Sequence, residues 1–387
     1  MTELNKHILI LSKWYPNNND IQLGVFVKQQ ALLLQKKFKI SVIYVQSNDT
    51  ISTDFKVQRS SHEGIFEQII YFKKAKGLFG KLINLKRYKA AQKIGYANLQ
   101  SQVDLVHVHV PIRPLFLALH LAKHKNIPFV VSEHWSGHLT GAFNKKNFLY
   151  KYFYVKLIKK AIKISCVSEF LKKEFISNTR IIPLVIPNLI EQYEPKVELD
   201  IKSTNQIKIL SVNDYINSIK NITGLLEGFS IALKNNSNLH LTLIGGGPDE
   251  NLILDTVKKL NLTKSNLTIL GRKPHSVVLE CMQNCNFYIS NSNFETFGMT
   301  IAEALRAGKP VISKLCGGPN EFLNSKNSLI ITSKKENQIE DTILKMSNTF
   351  QTYNSANISK EIIEKYGSAI ILKKLEKLYS IWLKIQF

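Results

Sequence analysis

The 387-residue chain is predicted to be an α/β protein with two doubly wound domains. This length exceeds what a single hydrophobic core usually supports and suits two domains of ordinary size. Short runs rich in Ile and Val recur along both halves, and segments with helical patterning separate them. Most of these runs are apolar on both faces, which is typical of strands in a parallel sheet with helices on each side.

Each half contains six runs that are predicted to be strands. In the first half they are His7–Leu11, Ile40–Val45, Val103–Val110, Pro128–Glu133, Lys163–Val167 and Ile182–Pro187. In the second half they are Gln206–Val212, Leu239–Gly245, Asn266–Leu270, Asn286–Asn291, Pro310–Ser313 and Ser328–Thr332. The two series predict Rossmann-like domains over residues 1–190 and 191–365, with a polar linker around Glu191–Asn205.

The composition is that of an ordinary globular protein, with 44% hydrophobic and 21% charged residues. No apolar run approaches the roughly 18 residues that span a membrane. The run His7–Leu11 is too short for the apolar core of a secretory signal, so a cytoplasmic location is expected. The four cysteines, Cys166, Cys281, Cys285 and Cys316, lack the spacing of a zinc site and are expected to be free thiols.

The segment after the fourth strand of the second half has the pattern of a phosphate site. A loop with Gly298 precedes a helix that is predicted to begin near Met299. The first turn of a helix presents unpaired N–H groups and the positive end of its dipole, which suit an anionic phosphate. Glu295 and Glu303 are about two helical turns apart, so Glu303 is expected deeper on the same side. Carboxylates placed there can accept paired hydrogen bonds from sugar hydroxyls.

This segment, Ser292–Ser313, resembles the E-x7-E signature of the retaining glycosyltransferases of family 4. The stretch Ala-Gly-Lys-Pro-Val-Ile that follows the second Glu is also similar to that family. The resemblance implies the GT-B fold, in which two Rossmann-like domains face each other across a cleft. It implies that Glu295 binds the donor sugar and Glu303 the nucleotide ribose, although two Glu residues eight apart can also be ordinary helix-end charges. It further implies that three backbone amides contact the donor diphosphate: those of Phe297, Gly298 and Met299.

Two cations are candidates for the phosphate side of the same domain. The family has a Gly-Arg pair after the first strand of this domain and a Lys a few residues later; Lys220 fits the Lys. The Arg position is occupied by Asn213 or Asp214, which removes one cation from the expected pair. Leu270-Gly-Arg272 resembles the segment that borders the nucleotide base. Arg272 therefore either holds base or phosphate, and so compensates, or is an exposed structural residue.

In the first domain, Gly24 and His134 are the candidate site residues. Gly24 lies in the loop after the first strand, which in the family lines the donor phosphate and the acceptor; an ordinary loop glycine is the alternative. His134 resembles the family's histidine that contacts the donor sugar near the reacting carbon. The resemblance runs from about residue 7 to the end of the chain. It implies that residues 366–387 form a helix that packs back on the first domain.

The first domain carries most of the positive charge. Residues 1–190 hold 29 of the 52 Lys and Arg but 10 of the 29 Asp and Glu, which is +19 of a total of +23. An anionic partner is therefore expected: nucleic acid, an acidic membrane surface or a phosphorylated acceptor. Phe72–Lys89 and Asn144–Lys160 mix cations with aromatic residues at helical spacing, which favours an anionic membrane surface over solvated helices. No known nucleic-acid module is visible, so nucleic acid is not expected as a partner.

The resemblance implies a retaining, metal-independent enzyme without a cofactor. The sequence also lacks an Asp-x-Asp triplet and a His/Cys cluster at ligand spacing, which supports metal independence. It would move a hexose or N-acetylhexosamine from a nucleotide sugar, with UDP favoured, to a glycan or lipid-linked acceptor in cell-surface polysaccharide synthesis. Peripheral association with the inner membrane face is part of this prediction. Two alternatives remain: a sugar-nucleotide epimerase of the same fold, and a nucleotide-sugar-binding protein with impaired catalysis, for which Asp214 is the main argument.

Overall fold

The computed structural model describes residues 6–191, 206–332 and 338–384. The chain divides into two compact units: unit 1 comprises Met1–Leu189 and Ile371–Phe387, and unit 2 comprises Ile190–Ile370. Residues 192–205, which make up most of the predicted linker, lie outside the described residues. Each unit is a Rossmann-like α/β domain around a mainly parallel sheet, which confirms the prediction of two doubly wound domains.

Unit 1 is built on an eight-stranded sheet within the described residues. Its elements up to residue 189 are β1 (His7–Ser12), α1 (Val25–Leu34), β2 (Lys39–Asn48), β3 (Phe55–His62), β4 (Ile65–Lys73), α2 (Gly80–Ala97), β5 (Leu105–His109), α3 (Leu115–Lys125), β6 (Phe129–Glu133), α4 (Phe148–Ile158), β7 (Lys163–Cys166), α5 (Glu169–Thr179) and β8 (Leu184–Val185). The strand order is β3-β4-β2-β1-β5-β6-β7-β8. The strands pair in parallel, except that β3 pairs with β4 in the antiparallel sense.

The hairpin β3–β4 at the sheet edge is absent from the predicted strands. Its turn is formed by Glu63 and Gly64, which both have positive φ, at 51° and 78°; two-residue hairpin turns of this kind match the twist of the strands. The prediction of helical spacing across Phe72–Lys89 is wrong for its first part, because β4 continues to Lys73 and α2 begins only at Gly80. Backbone pairing of β4 with β2 along nine residues overrides the local pattern there.

Alternate residues of the unit 1 strands enter two separate cores, one on each face of the sheet. Leu9 and Leu11 of β1 pack in the core that α2, α3 and α4 cover. Ile8 and Ile10 pack in the other core, beneath α1. Because both faces are buried, the strand reads as a continuous apolar run. Polar side chains are therefore expected to gather in the loops at the carboxyl edge of the sheet, after β1, β5 and β6.

Unit 2 has a six-stranded parallel sheet in the described part of the chain. Its elements are β9 (Ile207–Asp214), α6 (Asn217–Lys220), α7 (Ile222–Asn235), β10 (Leu239–Gly246), α8 (Glu250–Lys259), β11 (Leu267–Ile269), α9 (His275–Asn284), β12 (Phe287–Ser290), α10 (Met299–Arg306), β13 (Val311–Lys314), β14 (Ser328–Ile331), α11 (Gln338–Thr349) and α12 (Ser355–Tyr366). The order β11-β10-β9-β12-β13-β14 is that of the dinucleotide-binding fold. From β9 the chain adds strands first on one side of the sheet, up to β11, and then on the other side, beginning with β12.

The last helix, α13 (Ser368–Lys384), contributes its apolar side to unit 1. Ile371, Leu375 and Trp382 are buried in the same core as α1. The Tyr379 hydroxyl lies 2.8 Å from Nδ1 of His107, which is on the central strand β5. The C-terminal helix is thus a structural part of unit 1. No helix in the described ranges is both long and apolar enough to cross a lipid bilayer.

Candidate active site

The polar side chains of unit 2 gather where its strand order reverses. Loops after β9 and β12 leave the carboxyl edge of the sheet in opposite directions there, and open α/β sheets bind ligands at such points. The segment after β9 carries Lys220, and the loop after β12 carries Glu295. Their chain separation is 75 residues, yet Lys220 Nζ lies 2.5 Å from Glu295 Oε1. The fold therefore brings two of the predicted site residues into direct contact.

Glu295 is held from two directions. Its Oε1 accepts hydrogen bonds from Lys220 and, at 2.8 Å, from the hydroxyl of Ser292. Its backbone N–H donates to Cys316 O at 2.7 Å, and its carbonyl accepts from Gly318 N at 2.9 Å. Within the described residues Oε2 has no partner. The side chain is thus fixed by one oxygen and presents the other as an acceptor for a hydroxyl.

Lys220 is a charge kept in place by its surroundings. Burial lowers the pKa of Lys220, but the charge and hydrogen bond of Glu295, together with the charge of Asp214, outweigh it and raise the pKa above its ordinary value. The ammonium therefore stays protonated at neutral pH. A buried cation at the switch point of the sheet is suited to an anionic ligand group.

The loop before α10 has the geometry of an anion site. Gly298 caps the helix with φ 85° and ψ 59°, in the left-handed region that favours glycine. A Cβ at this position would lie 2.5 Å from Cγ of Pro319. Among the described residues none accepts a hydrogen bond from the amides of Phe297, Gly298 or Met299. Three unpaired N–H groups at the positive end of a helix can hold a phosphate.

A glycine pair that sequence reasoning missed forms the other wall of this loop. Gly317 bridges to Glu295 in parallel β fashion, with φ 117°. At Gly318, an added Cβ would lie 2.3 Å from the carbonyl oxygen of Thr296. The signal available in the sequence was Gly-Gly-Pro, separated by two residues from the end of β13, the strand next to β12. Loops from adjacent parallel strands leave the same sheet edge, so this segment packs against the loop that carries Glu295.

Glu303 lies on α10 and is nearly fully buried. Its Oε1 accepts from Nε2 of His275, the first residue of α9, at 2.8 Å. Oε2 of Glu303 has no partner in the part of the chain that the structure describes. Sequence reasoning placed no role on His275, although it stands three residues after Arg272 in the segment that follows β11. Glu295 and Glu303 therefore have separate partners, and each keeps one oxygen available.

Arg272 forms an ion pair with Asp214, one of the two residues that were predicted to occupy the family's arginine position. Its guanidinium lies 3.0 Å from Asp214 Oδ1 and donates to Gly246 O at 2.9 Å. Asp214 ends β9, and Gly246 ends the neighbouring strand β10. The cation brought by Arg272 and the anion of Asp214 offset each other at this edge. Arg272 is thus next to the position where the sequence departs from the family.

In unit 1, Gly24 is a conformationally constrained position. It is the N-cap of α1, with φ 67°, and a Cβ there would lie 2.4 Å from the carbonyl oxygen of Trp14. The loop after β1 therefore passes close against the start of α1, which only glycine permits without strain. This places Gly24 at the carboxyl edge of the sheet, where its predicted contact with donor phosphate requires it.

His134 belongs to a cluster of buried histidines at the ends of β5 and β6. Its Nε2 lies 3.0 Å from Nδ1 of His109, and its ring packs on Phe26 at 4.6 Å between centroids. Burial, opposed by the charge of Glu133, lowers the pKa of His134 to about 4, so the ring is neutral at pH 7. Within the described ranges, Nδ1 of His134 is buried without a hydrogen-bond partner.

The other histidines of the cluster have structural partners. His107 lies between the Tyr379 hydroxyl and the Ser132 hydroxyl, each at 2.8 Å. Burial and the charge of His134 lower the pKa of His107 to about 3. His138 packs against Phe143 and lies near the carboxylate of Glu133. No group of three His, Cys, Asp or Glu in the described ranges is arranged to hold a metal ion, and the four cysteines there are free thiols.

Two family models match the chain in tandem. The model for glycosyltransferase family 4 matches residues 24–192, and the model for glycosyl transferases group 1 matches residues 197–360. Two Rossmann-like units with these matches define a GT-B glycosyltransferase, which is a transferase enzyme. The chain belongs to glycosyltransferase family 4, with a C-terminal domain of group 1, and the resemblance carried by Ser292–Ser313 is thereby confirmed.

Two relatives are similar to this chain over most of its length. An uncharacterized glycosyltransferase of Methanocaldococcus jannaschii is 26% identical over 322 residues, which is 81% of this chain and 84% of that protein. The α-monoglucosyldiacylglycerol synthase of Streptococcus pneumoniae is 23% identical over 315 residues, which is 72% of this chain and 69% of that protein. Four other matched relatives are longer, and the matched part is 24–33% of their length.

Among solved structures, the HepE protein of Anabaena in complex with UDP and glucose has the same fold. Its TM-score is 0.72 at 15% identity, over 97% of this chain and 100% of that one. At this identity the likeness concerns the fold alone.

Proposed function

We propose that the chain moves a hexose or N-acetylhexosamine from a UDP-sugar to a glycan or lipid-linked acceptor, with retention of configuration and without a metal ion. The observation that carries the proposal is the group formed by the Lys220 ammonium, the clamped carboxylate of Glu295 and the unpaired amides before α10. A sugar diphosphate has one part for each: hydroxyls for Glu295 and phosphate oxygens for the cation and the amides.

In this proposal the diphosphate is the leaving group. As the bond between C1 of the sugar and the phosphate oxygen breaks, negative charge builds on the diphosphate. The amides of Phe297, Gly298 and Met299 and the ammonium of Lys220 stabilise that charge, because they are already oriented before the reaction. Positive charge from these groups does the work that Mg²⁺ or Mn²⁺ does in transferases with an Asp-x-Asp motif. The oxygen of the acceptor hydroxyl bonds to C1 on the face that the diphosphate leaves, and its proton passes to the leaving diphosphate.

The two glutamates divide donor recognition in this proposal. Oε2 of Glu295 accepts a hydrogen bond from a sugar hydroxyl while Lys220 and Ser292 hold Oε1. Oε2 of Glu303 accepts from the ribose of the nucleotide while His275 holds its Oε1. A UDP donor is supported by a relative from Streptococcus parasanguinis that is named as a UDP-N-acetylglucosamine transferase and is 26% identical over 172 residues.

A binding protein with impaired catalysis is the second candidate, and Asp214 favours it. The family has an arginine near this position, and here a carboxylate stands beside the proposed diphosphate. Its charge is offset by Arg272 at 3.0 Å, which supports the enzyme over the binding protein. A screen of UDP- and GDP-sugars separates the two: turnover with the product's anomeric configuration retained, read by NMR, supports transfer. Tight nucleotide binding with neither transfer nor hydrolysis supports the binding protein.

We also propose that unit 1 docks on an anionic membrane surface through the first turns of α2 and α4. Leu78 is 92% exposed and Phe148 is 76% exposed, and further large apolar side chains are exposed beside them: Phe79, Leu82, Leu149, Tyr152 and Phe153. Exposed lysines surround both groups: Lys73, Lys74, Lys76, Lys81, Lys145, Lys146, Lys156 and Lys159. Apolar side chains ringed by cations suit a lipid interface with acidic headgroups.

Helix α2 follows β4 and α4 follows β6, two strands that run in the same direction in the sheet. Both helices therefore begin at the carboxyl edge of the sheet, and both cover the same face of it. A membrane there lies beside the edge that holds His134 and Gly24, where a lipid-linked acceptor would enter. Cosedimentation with phosphatidylcholine vesicles, with and without phosphatidylglycerol, tests this. Phe148→Ser with Phe153→Ser should reduce binding to the acidic vesicles, while Ile182→Ser, at a site 78% exposed elsewhere on unit 1, should not. Equal binding by all three proteins would refute the surface.

A further inference from the structure

The contact between His275 and Glu303 joins α9 to α10. His275 is the first residue of α9, and Glu303 lies in the middle of α10. Their atoms Nε2 and Oε1 are 2.8 Å apart, and the exposed fractions of their side chains are 28% and 9%. The carboxylate is thus nearly enclosed, with the imidazole as its single polar partner among the described residues.

The electrostatics of the pair favour a charged histidine. Burial lowers the pKa of His275, but the charge and hydrogen bond of Glu303, with a smaller contribution from Glu191, raise it above the ordinary histidine value. A carboxylate this buried is expensive to keep ionised without a cation or donor nearby. His275 supplies both. It also fixes which oxygen of Glu303 is engaged and which remains open.

We propose that His275 is a positioning residue for the nucleotide: it holds Glu303 by Oε1, so that Oε2 stays available and directed for hydroxyls of the ribose. This inference rests on the proposed donor site. It predicts that His275 acts on donor binding through Glu303 and not on the bond-breaking step. An alternative role for His275, direct contact with the nucleotide, would give a different response to conservative substitution.

The geometric part is tested without any substrate. In the ligand-free protein, the pKa of His275 is measured by NMR in the wild type and in Glu303→Gln. It should lie above the ordinary histidine value in the wild type and fall when the charge of Glu303 is removed. An unshifted wild-type value, or one that Glu303→Gln leaves unchanged, overturns the contact whatever the enzyme does with nucleotide sugars.

The functional part compares His275→Gln, His275→Ala and His240→Gln. His240 is a matched control, since its ring is hydrogen-bonded to Ser265 and Thr268 in the same unit, away from Glu303. His275→Ala should raise KM for the donor about tenfold with kcat changed less than twofold, as expected for a lost hydrogen bond to a charged group. His275→Gln, whose amide can still donate to Glu303, should recover most of that loss. His240→Gln should behave as wild type.

The pH profile adds a readout that a packing role would not move. The imidazolium is lost as pH rises through the raised pKa of His275, so the wild-type KM should rise across that interval and KM of His275→Gln should not. An unchanged KM in His275→Ala, or equal losses in the Gln and Ala variants, overturns the positioning role. If the wild type turns over no nucleotide sugar, the proposed function fails, while the NMR titration still decides the contact.

Discussion

Replacing Lys220 by methionine removes one ammonium and leaves the side-chain volume nearly unchanged. Glu295 then keeps only the hydroxyl of Ser292 as partner for its engaged oxygen. The exposed fractions of the two side chains are 20% and 13%, so the pair is largely, not fully, desolvated. Breaking a fully buried pair costs about 3–5 kcal/mol, and partial access to water brings the expected loss of stability here to about 2–4 kcal/mol.

The effect on the reaction should exceed the effect on binding. Loss of one oriented group that stabilises a developing charge typically lowers kcat by about 10²–10³-fold. Urea unfolding gives the folded fraction, and single-turnover transfer measured on that fraction gives the chemical step. The matched control is Lys314→Met: its ammonium, at the end of β13, donates to the neutral amide of Asn293 at 2.8 Å. A Lys220→Met protein that is folded and loses less than tenfold in kcat would refute the assigned role.

The pH dependence of this pair has a definite sign. The pKa of Lys220 is raised in the folded protein, so its contribution to stability is complete below the ordinary lysine pKa. It is lost as pH rises through the raised value. Between pH 6 and 9 the stability difference between wild type and Lys220→Met should therefore be constant.

Three further outcomes are expected. Glu295→Gln should abolish transfer with the circular dichroism spectrum unchanged; wild-type activity would contradict its role. Gly298→Ala should weaken UDP binding and lower stability by about 1–3 kcal/mol, because φ is 85° and Pro319 lies 2.5 Å from the added Cβ; Gly77→Ala, with φ 84° and nothing within 4 Å, is the control for strain alone. EDTA should leave activity unchanged, and a loss that Mn²⁺ restores would show that the metal-free mechanism is wrong.

The strands of the two parallel sheets could be predicted because burial on both faces makes each one a short apolar run. β9 and β12 are examples: their predicted and observed bounds differ by a few residues at most. The hairpin β3–β4 could not be found in this way. β3 reads Phe-Lys-Val-Gln-Arg-Ser-Ser-His and lies at the sheet edge, so burial imposes little apolar pattern on it.

The candidate site was predictable where local geometry gives it a pattern, and unpredictable where it depends on distant pairing. Gly298 and the start of α10 follow from a strand–loop–helix pattern, and the observed helix begins at Met299 as predicted. The contact of Lys220 with Glu295 joins residues 75 apart, and spacing along the chain carries no trace of it. The same holds for His275 and Glu303, whose pairing depends on how α9 packs against α10.

The packing of α13 ties the order of synthesis to the order of folding. Residues that complete the core of unit 1, such as Leu375 and Trp382, leave the ribosome after the whole of unit 2. Until then, the apolar surface around Phe38 and Ile8 has no cover from this helix. During synthesis, the core of unit 1 therefore stays incomplete until unit 2 has been translated. A stop codon before residue 371 would destabilise unit 1, although most of unit 1 is translated first.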